Sequence, residues 1–121
     1  MEDRYLFKAK HFEKWHIGNI VKEPDGLYIR DIKENVMAYI DDESTICQCT
    51  GLKDKNGKLI WENDIVKINN SKVNMLITFR DFEIICTIPN EKYYKHRLEY
   101  DTEYEVIGNI FDNPELLESE G

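Results

Sequence analysis

The sequence predicts a mainly β protein. Short segments rich in β-branched and aromatic residues recur along the chain, turn-forming residues punctuate them at the spacing of a barrel or sandwich, and Asn56-Gly57 separates two apolar runs. Strands are expected over residues 4–9, 15–21, 26–32, 36–40, 64–68, 73–79, 82–88 and 103–111. The turns between them are marked by Glu23-Pro24-Asp25-Gly26, Lys55-Asn56-Gly57-Lys58, Asn69-Asn70-Ser71 and Arg80-Asp81. Asn56-Gly57 predicts a two-residue type I′ turn, because Asn and Gly tolerate positive φ at both central positions. Residues 50–53 then lead into a hairpin that returns through 58–61.

Three stretches read differently. Asn113-Pro114-Glu115-Leu116-Leu117-Glu118 predicts a short C-terminal helix, with Asn as N-cap, Pro at the first helical position and acids at the positive end. Residues 45–50 leave helix and strand both open, since β-branched and Cys side chains weaken the helix. Residues 89–101 keep neither a period of 2 nor one of 3.6, and are expected to form a long loop with one helical turn.

A chain of 121 residues is long enough for a core, and 41% hydrophobic residues exclude wholesale disorder. Its 24 acids against 16 bases give a formal charge of -8, which opposes sequence-independent binding to duplex nucleic acid or anionic lipid. The charge is uneven: the first 22 residues carry five bases and three acids, whereas eight acids and no base follow from Leu98 onward. Such ends can attract each other within a chain or between copies. Met1-Glu2-Asp3-Arg4 opens no apolar leader, and no run of about 18 apolar residues occurs, so a cytoplasmic protein without a membrane span is expected.

The three cysteines are an odd number in a chain able to build its own core, which argues against a disulfide framework. Cys47 and Cys49 form a C-x-C pair, but a structural zinc site wants four ligands, commonly in two close pairs. Cys86, His11, His16 and His96 could complete a site only by long-range folding. Neither metal nor cofactor is expected.

Three blocks carry a family resemblance: Thr50-Gly51-Leu52-Lys53-Asp54-Lys55-Asn56-Gly57-Lys58, then Asp64-Ile65-Val66, then Glu105-Val106-Ile107-Gly108-Asn109-Ile110-Phe111-Asp112-Asn113-Pro114-Glu115-Leu116-Leu117. Together they closely resemble the YopX-like family of phage and prophage proteins, and Trp15-His16-Ile17-Gly18-Asn19 and Tyr28-Ile29 are similar to further family elements. The resemblance implies an N-terminal β region over 1–49 and an SH3-like β-barrel over 50–121, the two able to pack as one unit. It brings no activity with it. The chain departs from the pattern in two places. Asn63 stands where the family tends to have Gly, and Asn can still adopt the left-handed bend. The family more often has Gly and Tyr at the positions of Cys47 and Cys49, so the C-x-C pair is no family feature.

The remaining motifs have folding explanations. Asp54-Lys55-Asn56-Gly57 fails as a calcium loop, because Gly57 and Lys58 fall where an EF-hand needs other residues. Glu62 and Asp64 share one side of a strand without a His partner, and Asp64 is expected to accept backbone amides in the turn. A small metal-assisted hydrolase using this pair is the least favoured reading. Gly108-Asn109 lacks the rest of a phosphate loop, and Gly108 in an apolar strand marks a bulge or close approach.

Candidate binding residues are Lys53, Lys55 and Lys58 on the hairpin, Trp61 just after it, and Tyr93 and Tyr94 in the irregular stretch. Trp15 and Tyr28 are further large aromatics, with Trp15 and Trp61 better suited to the core. With no nucleophile, base and orienter in view, the expected function is a non-enzymatic protein-binding or assembly module acting on a host or phage protein, able to form a homo-oligomer. The alternative is a single-stranded nucleic-acid binder using the lysine hairpin and Trp61.

Overall fold

A computed structural model describes residues 5–69, 71–80, 83–88, 96–97 and 102–117. The chain divides into two compact units, Met1–Gly51 and Leu52–Gly121.

In the first unit, β1 (Phe7–His11), β2 (Lys14–Glu23), β3 (Gly26–Asp31), β4 (Met37–Tyr39) and the start of β5 (Cys47–Lys53) form an antiparallel sheet ordered β4-β3-β2-β1-β5. Side chains alternate across each strand, so one face is apolar. Ala9, Ile29, Ala38 and Ile40 fill that face, with Ile20, Leu27 and Ile46 against them. Two long-range bonds tie the end of β1 to β4 and the residues after it. His11 Nδ1 donates to the Tyr39 carbonyl at 2.8 Å, and the Phe12 amide donates to Asp41 Oδ1 at 2.6 Å. Residues 45–50 resolve as the end of a 3-10 turn, Glu43–Thr45, followed by strand. Asp42 caps that turn by accepting from the Ser44 amide at 3.0 Å, and Cys47 and Cys49 then point into the interior, as period 2 requires.

The second unit contains β6 (Leu59–Trp61), neighbour to β5, and then β7 (Asp64–Ile68), β8 (Met75–Arg80), β9 (Glu83–Thr87), β10 (His96–Arg97) and β11 (Tyr104–Asn109). The last five form an antiparallel sheet ordered β10-β9-β8-β7-β11. Ile60, Val66, Ile68, Met75, Ile77, Cys86 and Tyr104 make its core. Among the described residues no pairing joins β10 to β11, so the sheet is open and the closed barrel implied by the resemblance is not formed there.

Several expectations are corrected in detail. The Asn56-Gly57 hairpin is not type I′: Gly57 has φ 83° but Asn56 is not in the positive region. Gly57 N donates to the Asp54 carbonyl at 3.0 Å and Asp54 N to the Lys58 carbonyl at 2.7 Å, a type I turn closed by a left-handed Gly. The Asp54 carboxylate selects it by accepting from the Asn56 and Lys58 amides, both at 2.9 Å. Within residues 89–101, expected to be a loop, His96–Arg97 pairs with β9 at Cys86 and Ile85. The C-terminal helix is a single 3-10 turn, Pro114–Leu117. Asn113 Oδ1 accepts from the Asn109 amide at 3.2 Å, so it ties the turn back to β11.

Other readings hold. Asn63 takes φ 73°, the Asp64 carboxylate accepts the Trp61 amide at 2.8 Å, and the β7–β11 register shifts between Val106 and Gly108.

Candidate functional site

The residues singled out on the hairpin separate by burial. Lys53, Lys55 and Lys58 are exposed, and Lys55 Nζ lies 3.7 Å from Glu105 Oε1. Trp61 is 6% exposed, a core residue that offers no face for stacking. Tyr93 and Tyr94 lie outside the described residues. Trp15, half-buried in the first unit, has the Lys8 and Lys10 ammonium groups 4.5 and 5.2 Å from its ring centroid. Tyr28 packs edge-on against Tyr39 at 5.3 Å between centroids, and its hydroxyl donates to Asp25 at 2.9 Å.

Asp54, Glu62 and Asp64 form no shared cluster of ligand atoms among the described residues. The Asp54 carboxyl is held below the usual carboxylate range. Burial pushes it up, but the amides of Val106, Lys58 and Asn56 together outweigh that penalty. An acid that accepts from three backbone donors closes the turn and ties it to β11.

β4 is an edge strand of the first unit's sheet. In the β3–β4 ladder the Asp31 amide donates to Val36 and the Ile40 amide to Leu27, so Met37 and Tyr39 occupy the alternate positions. Their backbone groups therefore turn away from β3. The Tyr39 carbonyl is taken by His11, which leaves the Met37 amide and carbonyl and the Tyr39 amide directed outward. The side chains of Met37 and Tyr39 are exposed, as are those of Val36, Ile32 and Phe12 beside the neighbouring turns. Phe12 has φ 56°, the left-handed region that a bulky residue rarely adopts.

Three further residues meet at the turn end of the same unit: His16 on β2, Asp31 at the end of β3 and Glu34 in the turn after it. His16 Nδ1 donates to Asp31 Oδ2 at 2.7 Å, with both side chains buried. The Lys33 and Glu34 amides reach Asp31 Oδ1 at 2.8 Å each. The amide of Glu34 leads the donors that hold the Asp31 carboxyl below its ordinary range; burial opposes them, and His16 and the amide of Lys33 add to the lowering. Sequence reasoning missed this group because its members are 15 or more positions from His16. The available signal was His16 on the inward period of β2, opposite buried Ala9.

Two antiparallel sheets with scarcely any helix define a mainly β protein. Residues 19–118 match the family described as YopX protein, and the chain belongs to that family. The crystal structure of protein yopX from Bacillus subtilis is similar in fold, with a TM-score of 0.62 and 22% sequence identity, covering 95% of this chain and 99% of that one. None of the curated proteins matches the sequence. No helix among the described residues is long and apolar enough to cross a membrane.

Proposed function

We propose that the protein is a non-enzymatic binding module that accepts an extended segment of another protein along β4. The observation that carries this reading is the β4 edge, where unclaimed amides at Met37 and Tyr39 alternate with their own exposed side chains. Main-chain hydrogen bonds to an added strand supply affinity, and the apolar side chains of Val36, Met37 and Tyr39 supply selectivity. A long bare edge invites aggregation, whereas a three-residue edge limits pairing to a short, specific match. The strained Phe12 beside it is consistent with a residue retained for contact.

The commitment of Asp54 and Asp64 to backbone amides supports the absence of catalysis. In the second unit the four strands β7 to β10 form a meander and β11 returns to pair with β7. That order supports an SH3-like scaffold, open as described. The likeness of the sequence blocks to phage and prophage proteins supports a bacterial cytoplasm as the setting. The burial of Trp61 removes the aromatic platform on which single-strand binding rested.

The test is capture of host protein on the immobilised full chain, wild type against Met37→Pro. Proline at that position removes an outward amide and leaves the pairing with β3 in place. Retained protein should be lost while the melting temperature stays within a few degrees. An identical retained set from both chains overturns the proposal, and conversion of an oligomer to a monomer by the same substitution would make the occupant a second copy.

A further inference from the structure

The juxtaposition of His16, Asp31 and Glu34 carries a separate inference. A buried His–Asp hydrogen bond satisfies itself and needs no third group. Here Glu34 adds a second carboxylate, with Oε1 3.8 Å from His16 Nδ1, too long for a hydrogen bond. One nitrogen and two carboxylate oxygens lie within 4.8 Å of one another. Two carboxylates facing one small space repel each other unless a cation stands between them.

Each donor is also oriented. Asp31 Oδ1 is spent on two turn amides, which fixes Oδ2 toward His16. Lys14 Nζ holds Glu34 Oε2 at 2.7 Å on the solvent side, leaving Oε1 as the inner atom. Support of this kind behind the ligating atoms is what fixes geometry in metal sites.

We propose that His16 Nδ1, Asp31 Oδ2 and Glu34 Oε1 form a binding site for a first-row divalent transition-metal ion. A mixed imidazole and carboxylate set suits zinc, cobalt or manganese better than calcium, which takes oxygen ligands almost alone. With metal–ligand bonds of about 2.0–2.2 Å, adjacent ligand atoms stand roughly 3 Å apart. The His16–Asp31 pair opens by a few tenths of an ångström from its 2.7 Å, and the half-exposed Glu34 side chain moves in by under an ångström from 3.8 Å. The ion takes the Nδ1 lone pair in place of the hydrogen bond to Asp31, the neutral ring carries its proton on Nε2, and water completes the coordination on the Glu34 side.

The experiment uses the full chain, stripped with chelator, titrated calorimetrically with zinc and followed in parallel by cobalt absorption. One ion per chain is expected, with cobalt bands typical of nitrogen and oxygen ligands. Glu34→Gln, a change at an exposed turn side chain, should weaken affinity at least tenfold while the metal-free melting temperature stays within a few degrees, since the exposed pair with Lys14 contributes little. Absence of binding, or binding that Glu34→Gln does not weaken, overturns the assignment.

Discussion

Asp54 Oδ2 accepts the Val106 amide at 3.0 Å, a bond between a hairpin turn and a strand 52 positions later in the chain. The other oxygen of the same carboxylate closes the turn by accepting from Asn56 and Lys58. One side chain therefore shapes the hairpin and fastens it to β11, at the place where the β7–β11 ladder slips by a residue. Removing a buried acceptor leaves its donors unsatisfied, and hydrogen bonds to a charged group contribute about 1.5–3 kcal/mol. Asp54→Ala should destabilise the protein by roughly 3 kcal/mol in urea unfolding. Asp54→Asn, which keeps one acceptor oxygen, should cost less.

The same residue predicts an acid limb. Its folded carboxyl lies below the usual range, because backbone donors outweigh the burial that pushes it up, so the unfolded chain binds the proton more readily. That contribution is complete above the unfolded value of about 3.9 and is lost as pH falls through the folded one. Melting temperature measured from pH 5 down to pH 2 should fall for the wild type, and fall less steeply for Asp54→Asn. Equal slopes would show that Asp54 carries none of the acid sensitivity.

Two glycines should differ sharply in their tolerance of a methyl group. A Cβ on Gly18 would stand 1.7 Å from the Arg30 carbonyl oxygen, backbone of the adjacent strand, which cannot give way without breaking the β2–β3 pairing. A Cβ on Gly108 would meet Asn113 Oδ1 at 2.6 Å, a side chain able to rotate aside with loss of its bond to the Asn109 amide. Gly108→Ala should therefore cost about 1–3 kcal/mol, and Gly18→Ala should prevent the first unit from folding. Dispersed amide resonances from residues of the first unit in the Gly18→Ala protein would contradict this.

These positions also mark what the sequence could express. Strand 64–68 coincides with β7, because Asn63 before it and the apolar alternation after it are both local signals. The bulge at Gly108 was legible for the same reason. The turn at Asn56-Gly57 was misassigned because its form depends on Asp54, whose second oxygen answers to Val106 far along the chain. β10 is two residues long and exists through pairing with β9, so no period could reveal it. The His16, Asp31 and Glu34 group was hidden because the β2–β3 pairing, rather than any spacing, brings it together.

Phe12 stores strain at an exposed position. A non-glycine residue in the left-handed region costs roughly 1 kcal/mol, and Phe12 is 66% exposed, so little burial offsets the cost. Phe12→Gly should raise stability by up to about 1 kcal/mol, since the amide bond to Asp41 needs no side chain. If the residue serves contact at the β4 edge, the same substitution should weaken partner capture. A substitution that stabilises while it impairs binding is the signature of a residue kept for function.

The last prediction concerns the thiols. Cys47, Cys49 and Cys86 are buried thiols outside any disulfide, and burial pushes the Cys86 thiol up to about 12. The thiolate is the reactive form, so the folded chain at pH 8 presents almost none of it at Cys86, and all three sulfurs are shielded from a bulky reagent. Ellman's reagent should find no rapidly reacting thiol in the native protein and three in urea. The slow native reaction should proceed at the rate of local opening, and separate rates for the first-unit pair and Cys86 would show that the two units open independently. A fast thiol in the folded state would mean that at least one of these strands is open to solvent.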